Sequence, residues 1–160
     1  MRTIKEKTEI RDLITDSIEI REDEDGNRTI SGYAVKWEKK SHVLGYFYKF
    51  REQFKKGAFA DSLEKDDQRF LWSHDVSKVL GRRKNNTLRL EEDEVGLRFE
   101  LDLPKTSLGD DTYESIKRGD VDGVTTYHFA LSKKPSCWRC QLLHFLLIQI
   151  VKCQQEVTTS

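Results

Sequence analysis

The sequence predicts a mainly β fold with helices, of the α+β class, arranged as a small closed or nearly closed β-barrel of about seven strands. Three observations predict it. Several short segments alternate apolar and polar residues with a period of two, polar turn residues separate them, and two short segments have helical character. The 160 residues, 36% of them hydrophobic, suffice for one modest core and therefore for one domain.

The first two strands are predicted to form a hairpin. Residues 18–22 and 29–37 have strand character, and the Asp-Gly-Asn sequence at 25–27 between them is typical of a turn. In an extended second strand every other side chain lies on the same face. That face would carry Ser31, Tyr33, Val35 and Trp37.

A β-meander is predicted for the middle of the chain. Its short strands cover residues 69–74, 79–83, 87–91 and 97–103. The last strand is the clearest, because its apolar residues alternate with charged ones, and only a strand turns a period of two into one buried face. That face would carry Leu97, Phe99, Leu101 and Leu103.

Two helices are predicted beside these strands. Thr106 or Ser107 can cap the longer helix. Its first turn carries acidic residues, which are stabilised by the positive end of the helix dipole. Gly119 marks its end. A shorter helix is predicted over residues 58–65, and residues 121–131 return to the sheet as the last strand.

Charge and composition narrow the function classes. The 28 basic and 28 acidic residues cancel, so overall charge attracts the protein neither to nucleic acid nor to an anionic membrane. Residues 1–12 mix charges without an apolar stretch, which is unlike a secretory signal peptide and predicts a cytoplasmic start. The apolar run 142–151 is too short for a membrane-spanning helix.

The composition changes near Ser132. All three cysteines lie beyond it, and acidic residues almost vanish there. We therefore divide the chain into a domain of residues 1–132 and an atypical cysteine-containing tail of residues 133–160. In this division the domain could be truncated, without the last one or two strands of the fold. The preferred interpretation of this tail is translation out of frame.

Several motifs together resemble the capsid-maturation (prohead) serine proteases of tailed bacteriophages. Each motif is weak alone, but their order and spacing over residues 15–124 make a chance match improbable. They are SGYAV at 31–35, Glu52, GAF at 57–59, Ser62-Leu63, SHD at 73–75, VLGR at 79–82, LRL at 88–90, Gly96-Leu97 and GDVDG at 119–123.

The resemblance implies a fold and a function. The fold would be that of the herpesvirus assemblins, a β-barrel wrapped by helices. The activity would be cleavage of the scaffold region and the capsid precursor inside the assembling prohead, in the host cytoplasm. It implies these two protein partners and self-association, with no cofactor, metal, nucleic acid or membrane.

The resemblance also implies catalytic positions. A serine protease needs a hydroxyl nucleophile, a base that takes its proton, and donors for the oxyanion. The SHD motif makes His74 the base, and the segment after Gly123 puts Thr125 or Thr126 where the family has serine. The VLGR segment follows His74 closely and is expected to border the same cleft, which makes Arg82 or its neighbour Arg83 the candidate donor to the oxyanion, directly or through water.

The third catalytic group is not identified. In an extended strand Asp75 points away from the face of His74, so it is badly placed to orient the adjacent imidazole. The family's later carboxylate lies in a segment resembling Glu-Val-Ser-Pro. Here only Glu156 and Val157 match the start of that segment, close to the end of the sequence. The triad is predicted to be incomplete.

Two other hypotheses remain open. Threonine suits a strand without any catalytic role, so the chain could be a protease-fold remnant that binds capsid or scaffold protein without turnover. The tail also holds residue types that bind zinc, which would suit a zinc-dependent nucleic-acid module, although its second half has the wrong spacing. These residues are Cys137, Cys140, His144 and Cys153.

Overall fold

A computed structural model of the chain describes residues 9–11, 18–40, 53–73, 75–130 and 142–151. The strands are β1 (Glu9–Arg11), β2 (Ile18–Glu22), β3 (Arg28–Lys36), β4 (Arg69–Trp72), β5 (Asp75–Arg82), β6 (Leu88–Glu92), β7 (Gly96–Asp102), β8 (Gly123–Ala130) and β9 (Leu142–Val151). The helices are α1 (Ala60–Lys65) and α2 (Ser107–Arg118), with a 3-10 turn over Arg83–Asn85. The mainly β, α+β class is confirmed.

The strands form two sheets. One has the order β1-β8-β9-β4-β5, and the other has the order β2-β3-β7-β6. All seven predicted strands are present, and β1 and β9 join them. Neither sheet closes on itself within the described ranges, so the closed or nearly closed barrel is not confirmed. Alternation identifies the buried face of a strand but not its neighbours, which is why it could not decide closure.

The core lies between the two sheets. Phe70 of β4 and Phe99 of β7 meet there with ring centroids 5.3 Å apart. Leu97, Phe99 and Leu101 are buried, as the alternation in β7 predicts. Leu103 is also buried, just beyond the end of that strand. The predicted apolar face of this segment is therefore confirmed.

The predicted face of β3 is wrong. Tyr33 pairs with Arg98 and Val35 pairs with Leu97, so Ala34 is an extra residue in a β-bulge. Paired residues on neighbouring strands share a face, which puts Val35 on the core side with Leu97 and Tyr33 on the opposite side. A bulge shifts the alternation by one residue, and no local pattern in the sequence indicated it.

The longer helix begins and ends where the sequence predicts. Thr106 is its N-cap, and the Thr106 hydroxyl accepts a hydrogen bond from the Gly109 N–H at 3.3 Å. Gly119 ends the helix with φ +78°, a left-handed conformation that favours glycine. The shorter helix begins at Ala60, two residues later than predicted.

The apolar run at 142–151 forms strand β9. This strand pairs antiparallel with β8 on one side and parallel with β4 on the other. A segment predicted to belong to a separate tail thus occupies the centre of the five-stranded sheet. In the part of the chain that the structure describes, no helix is long and apolar enough to cross a membrane.

Candidate active site

The two candidate nucleophiles lie next to each other on β8 and on opposite faces of the sheet. Thr125 pairs with Gln149 of β9, which in turn pairs with Leu71 of β4. Thr126 pairs in the same way with Ile148 and, through it, with Phe70. Successive side chains of a strand point to opposite faces, so only one of the two hydroxyls can serve a given site.

Thr126 lies on the core face. Thr126 is in register with Phe70 across β9, and it shares a strand face with Val124, two residues earlier on β8. Phe70 and Val124 both belong to the core between the sheets. Thr126 itself is 1% exposed. The Thr126 side chain therefore packs between the two sheets, and a structural role, as a β-branched residue in a strand, fits it best.

Thr125 lies on the other face, in the row of Leu71. It is 2% exposed, and its hydroxyl has no hydrogen-bond partner among the described residues. A buried hydroxyl without a partner costs about 1–3 kcal/mol, so such groups are rare. The unpaired hydroxyl distinguishes Thr125 from Thr126, a distinction that counting along the sequence left open.

The predicted base, His74, lies outside the described residues. Strand β4 ends at Trp72, two residues earlier than predicted, and Trp72 pairs with Asp75 at the start of β5. Ser73 between them has φ +44°, which is a turn conformation and not a strand conformation. The proposed sharing of a strand face by His74 and Trp72 stays a prediction.

Asp75 has partners of its own. Its carboxylate accepts hydrogen bonds from the Ser77 hydroxyl at 2.5 Å and from the Ser77 N–H at 2.9 Å, and Lys78 lies 3.7 Å away. The hydrogen bond from the Ser77 hydroxyl is the main reason that the pKa of Asp75 lies below its ordinary value. Asp75 therefore orders the start of β5.

Strand β9 lies between β8, which carries Thr125, and β4, which ends at Trp72, two residues before the predicted base. The sheet order is β8-β9-β4, so the Cα atoms of Thr125 and Leu71 are two strand spacings apart, which is about 10 Å. The segments leading to His74 and to Thr125 are therefore not neighbours in the sheet. This separation is produced by the chain segment that was predicted to be translated out of frame, and that interpretation stays a prediction.

Arg82, the predicted oxyanion donor, is bound to Asp67. Its Nε and Nη2 atoms both contact the Asp67 carboxylate. The hydrogen bond between them lowers the pKa of Asp67 and raises the pKa of Arg82. The Thr87 hydroxyl accepts from the Arg82 N–H at 2.8 Å and donates to the Arg82 carbonyl at 3.1 Å. Arg82 thus joins β5 to neighbouring segments, and its catalytic role stays a prediction.

One side chain that the sequence did not single out is Arg69, at the start of β4. Its Nε atom is buried and has no hydrogen-bond partner in the described ranges. It lies on the same face of β4 as Leu71 and borders a cavity next to Arg82. An arginine at a strand end is ordinary in sequence, so only the burial of its Nε atom distinguishes it.

The remaining predicted site residues lie outside the described side chains. These are the third-carboxylate candidate Glu156 and the zinc candidates Cys137, Cys140, His144 and Cys153. Among the side chains that are described, no three of the His, Cys, Asp and Glu residues cluster closely enough to hold a metal ion. The zinc hypothesis is therefore untested.

Comparison with known proteins identifies a family. The family model described as caudovirus prohead serine protease matches residues 16–136, more than half of the chain. The match extends four residues beyond the domain boundary predicted at residue 132 from the change in composition, into the segment before Cys137. Neither a curated protein nor a solved structure matches this chain.

Proposed function

The chain belongs to the caudovirus prohead serine protease family, and from that membership we propose that it is a serine-type endopeptidase of phage head maturation with Thr125 as nucleophile and His74 as general base. Its substrates are the scaffold region and the capsid precursor, and it acts inside the assembling prohead in the host cell. The hydroxyl of Thr125 replaces the family's serine.

The reaction is acyl transfer to a hydroxyl. The Thr125 oxygen attacks the carbonyl carbon of the scissile peptide bond, and its proton passes to the His74 imidazole. The tetrahedral intermediate then collapses, the C–N bond breaks, and the departing amine takes the proton from the imidazolium. Water, deprotonated by the same base, hydrolyses the ester and restores the hydroxyl.

The unpaired Thr125 hydroxyl is the observation that supports this assignment. It is buried in the family-matched region, on the sheet face away from the core, and has no described partner that competes for its proton. The threonine methyl group crowds the attacked carbon and restricts the side-chain rotamer. Slow turnover is therefore expected, faster in Thr125→Ser.

A cleavage assay tests the proposal. The purified protein is incubated with its cognate capsid precursor, and the products are identified by mass spectrometry. We expect cleavage that is lost in Thr125→Ala and in His74→Ala. It should be kept in the matched control Thr126→Val, which removes the neighbouring hydroxyl and keeps a side chain of similar shape. Cleavage that survives Thr125→Ala would show that Thr125 is not the nucleophile.

A second candidate function is binding without turnover. The position of β9 between β4 and β8 favours it, because it places about 10 Å between the strand that carries Thr125 and the strand that leads to His74. Such a remnant would bind the capsid precursor or its scaffold region through the protease fold. Uncleaved precursor that co-purifies with the wild-type protein would support this function over the enzyme.

A further inference from the structure

A polar cavity lies at the outer end of the five-stranded sheet. Its volume is about 300 Å³. It lies where the start of β4 meets the end of β5 and the turn that follows. Its polar lining comes from Arg69, Arg82, Asn85 and Thr87.

The charges around this cavity do not balance. Among the described side chains Arg82 is paired with Asp67, and Arg69 is a second cation near the same carboxylate. The Nε atom of Arg69 is buried without a partner in the part of the chain that the structure describes. The Thr87 hydroxyl is already engaged by the Arg82 backbone. A carboxylate in the cavity would add a negative charge beside Arg69 and could accept hydrogen bonds from its guanidinium.

Strand β5 forms one edge of the sheet among the described strands. Two of its apolar residues are exposed, Val76 at 74% and Val79 at 38%. The Ser77 N–H is bonded to Asp75, but beyond it the outward N–H and C=O groups of an edge strand are a template for an added strand, and exposed valines suit the side chains of such a strand. At Arg82 the Thr87 hydroxyl satisfies the backbone groups, so an added strand would end beside the cavity.

We propose that strand β5 and the Arg69 cavity together bind an extended segment of the substrate, with an aspartate or glutamate side chain of that segment in the cavity. The inference rests on the proposed function, since the segment is part of the capsid or scaffold precursor. A planar guanidinium binds a carboxylate through two parallel hydrogen bonds, which makes a carboxylate the fitting ligand.

The bound segment is an anchor and not the bond that is cut. Strand β5 lies three strand positions from β8 in the sheet, which is about 15 Å, and an added strand lies about 5 Å farther out. The segment would hold the precursor while a more distant part of it reaches Thr125. An inorganic anion has the right charge, but it makes no use of the exposed edge of β5.

Peptide binding tests the inference without any need for cleavage. The probes are two fluorescein-labelled decapeptides of alternating threonine and valine, one with a central glutamate and one with glutamine in its place. Fluorescence anisotropy with the full-length protein should show about tenfold tighter binding of the glutamate peptide. The same peptide N-methylated at alternate residues should bind weakly, because it cannot pair with β5.

Three variants locate the effect. Arg69→Gln should abolish the preference for glutamate, and Arg69→Lys should keep part of it, because lysine retains the charge without the planar fork. Arg98→Gln removes the same charge from an exposed position on β7 and should leave the preference unchanged. If Arg69→Gln does not fold, the difference between the two peptides in their binding to the wild-type protein, and its partial loss in Arg69→Lys, still test the inference.

Equal binding of the two peptides to the wild-type protein, or a glutamate preference that persists in folded Arg69→Gln, would overturn the inference. Binding of inorganic phosphate by a protein that binds neither peptide would make the cavity a small-anion site and would also overturn it. Failure of the proposed function is a separate result. A protein that prefers the glutamate peptide but does not cleave the precursor would refute the enzymatic activity and would still support the binding site.

Discussion

Replacing Gly81 with alanine should destabilise the fold by forcing the two sheets apart. Gly81 pairs with Phe70 and faces the core, and a Cβ atom added there would overlap the Leu101 Cδ1 atom. Leu101 is fully buried on β7 and cannot move away into solvent. The Thr87 carbonyl and hydroxyl oxygens, each 3.4 Å from the added atom, limit the movement of β5 in the other direction.

The magnitude follows from overpacking of a dense core. Carbon atoms need about 3.5–4.0 Å between them, so Leu101 would have to leave its rotamer or β5 would have to shift. Insertion of one methyl group into a packed core costs about 1–3 kcal/mol. The backbone of Gly81 is not in the left-handed region, so the cost comes from packing and not from φ.

Urea denaturation measures the effect. We expect Gly81→Ala to lower the free energy of unfolding by about 2 kcal/mol at an unchanged m value, and Val79→Ala, an exposed control on the same strand, to change it by less than about 0.5 kcal/mol. In a double-mutant cycle Leu101→Ala should recover part of the Gly81→Ala cost, because it removes the atom that is overlapped. Additive costs, or a Gly81→Ala protein as stable as wild type, would refute the packing of β5 against β7.

Three further effects are expected. Burial raises the pKa of Asp93, but hydrogen bonds from the Tyr33 hydroxyl and from two backbone N–H groups lower it more. The stability that the Asp93 carboxylate contributes should therefore be complete above the ordinary carboxyl pKa of about 3.9 and should disappear as pH falls through the lower pKa of the folded state, and an acid titration of Asp93→Asn should lack this loss. Thr106→Ala should lower the free energy of unfolding by about 1 kcal/mol through loss of the cap of α2, with no comparable loss in Ser107→Ala by urea denaturation. Phe99→Ala should lower it by about 3–5 kcal/mol, because the ring is buried against Phe70; a cost below about 1 kcal/mol in thermal unfolding would mean that the sheets do not meet there.

Local chemistry decided what the sequence could predict. The cap at Thr106, the stop at Gly119 and the alternation through Leu101 depend on residues within a few positions of each other, and all three are found in the structure. The bulge at Ala34 depends on how β3 pairs with β7, which no residue of β3 encodes alone.

Long-range pairing also limited the prediction of the site. The motifs identified the segments around His74 and after Gly123, and the family match includes both. They could not show that β9 lies between β4 and β8, because the order of strands in a sheet depends on contacts far apart in sequence. The unpaired hydroxyl of Thr125 and the buried Nε atom of Arg69 likewise depend on burial, which single residues do not reveal.

The proteolytic account depends on one chemical property, an activated hydroxyl at Thr125. Reaction with a fluorophosphonate measures it directly, because an activated hydroxyl displaces fluoride and forms a stable phosphonate ester. Mass spectrometry of the digested protein should find one adduct, on Thr125, that is absent from His74→Ala. A wild-type protein that stays unmodified, or an adduct on Thr126 or any other hydroxyl, would contradict the assignment of Thr125 as the nucleophile.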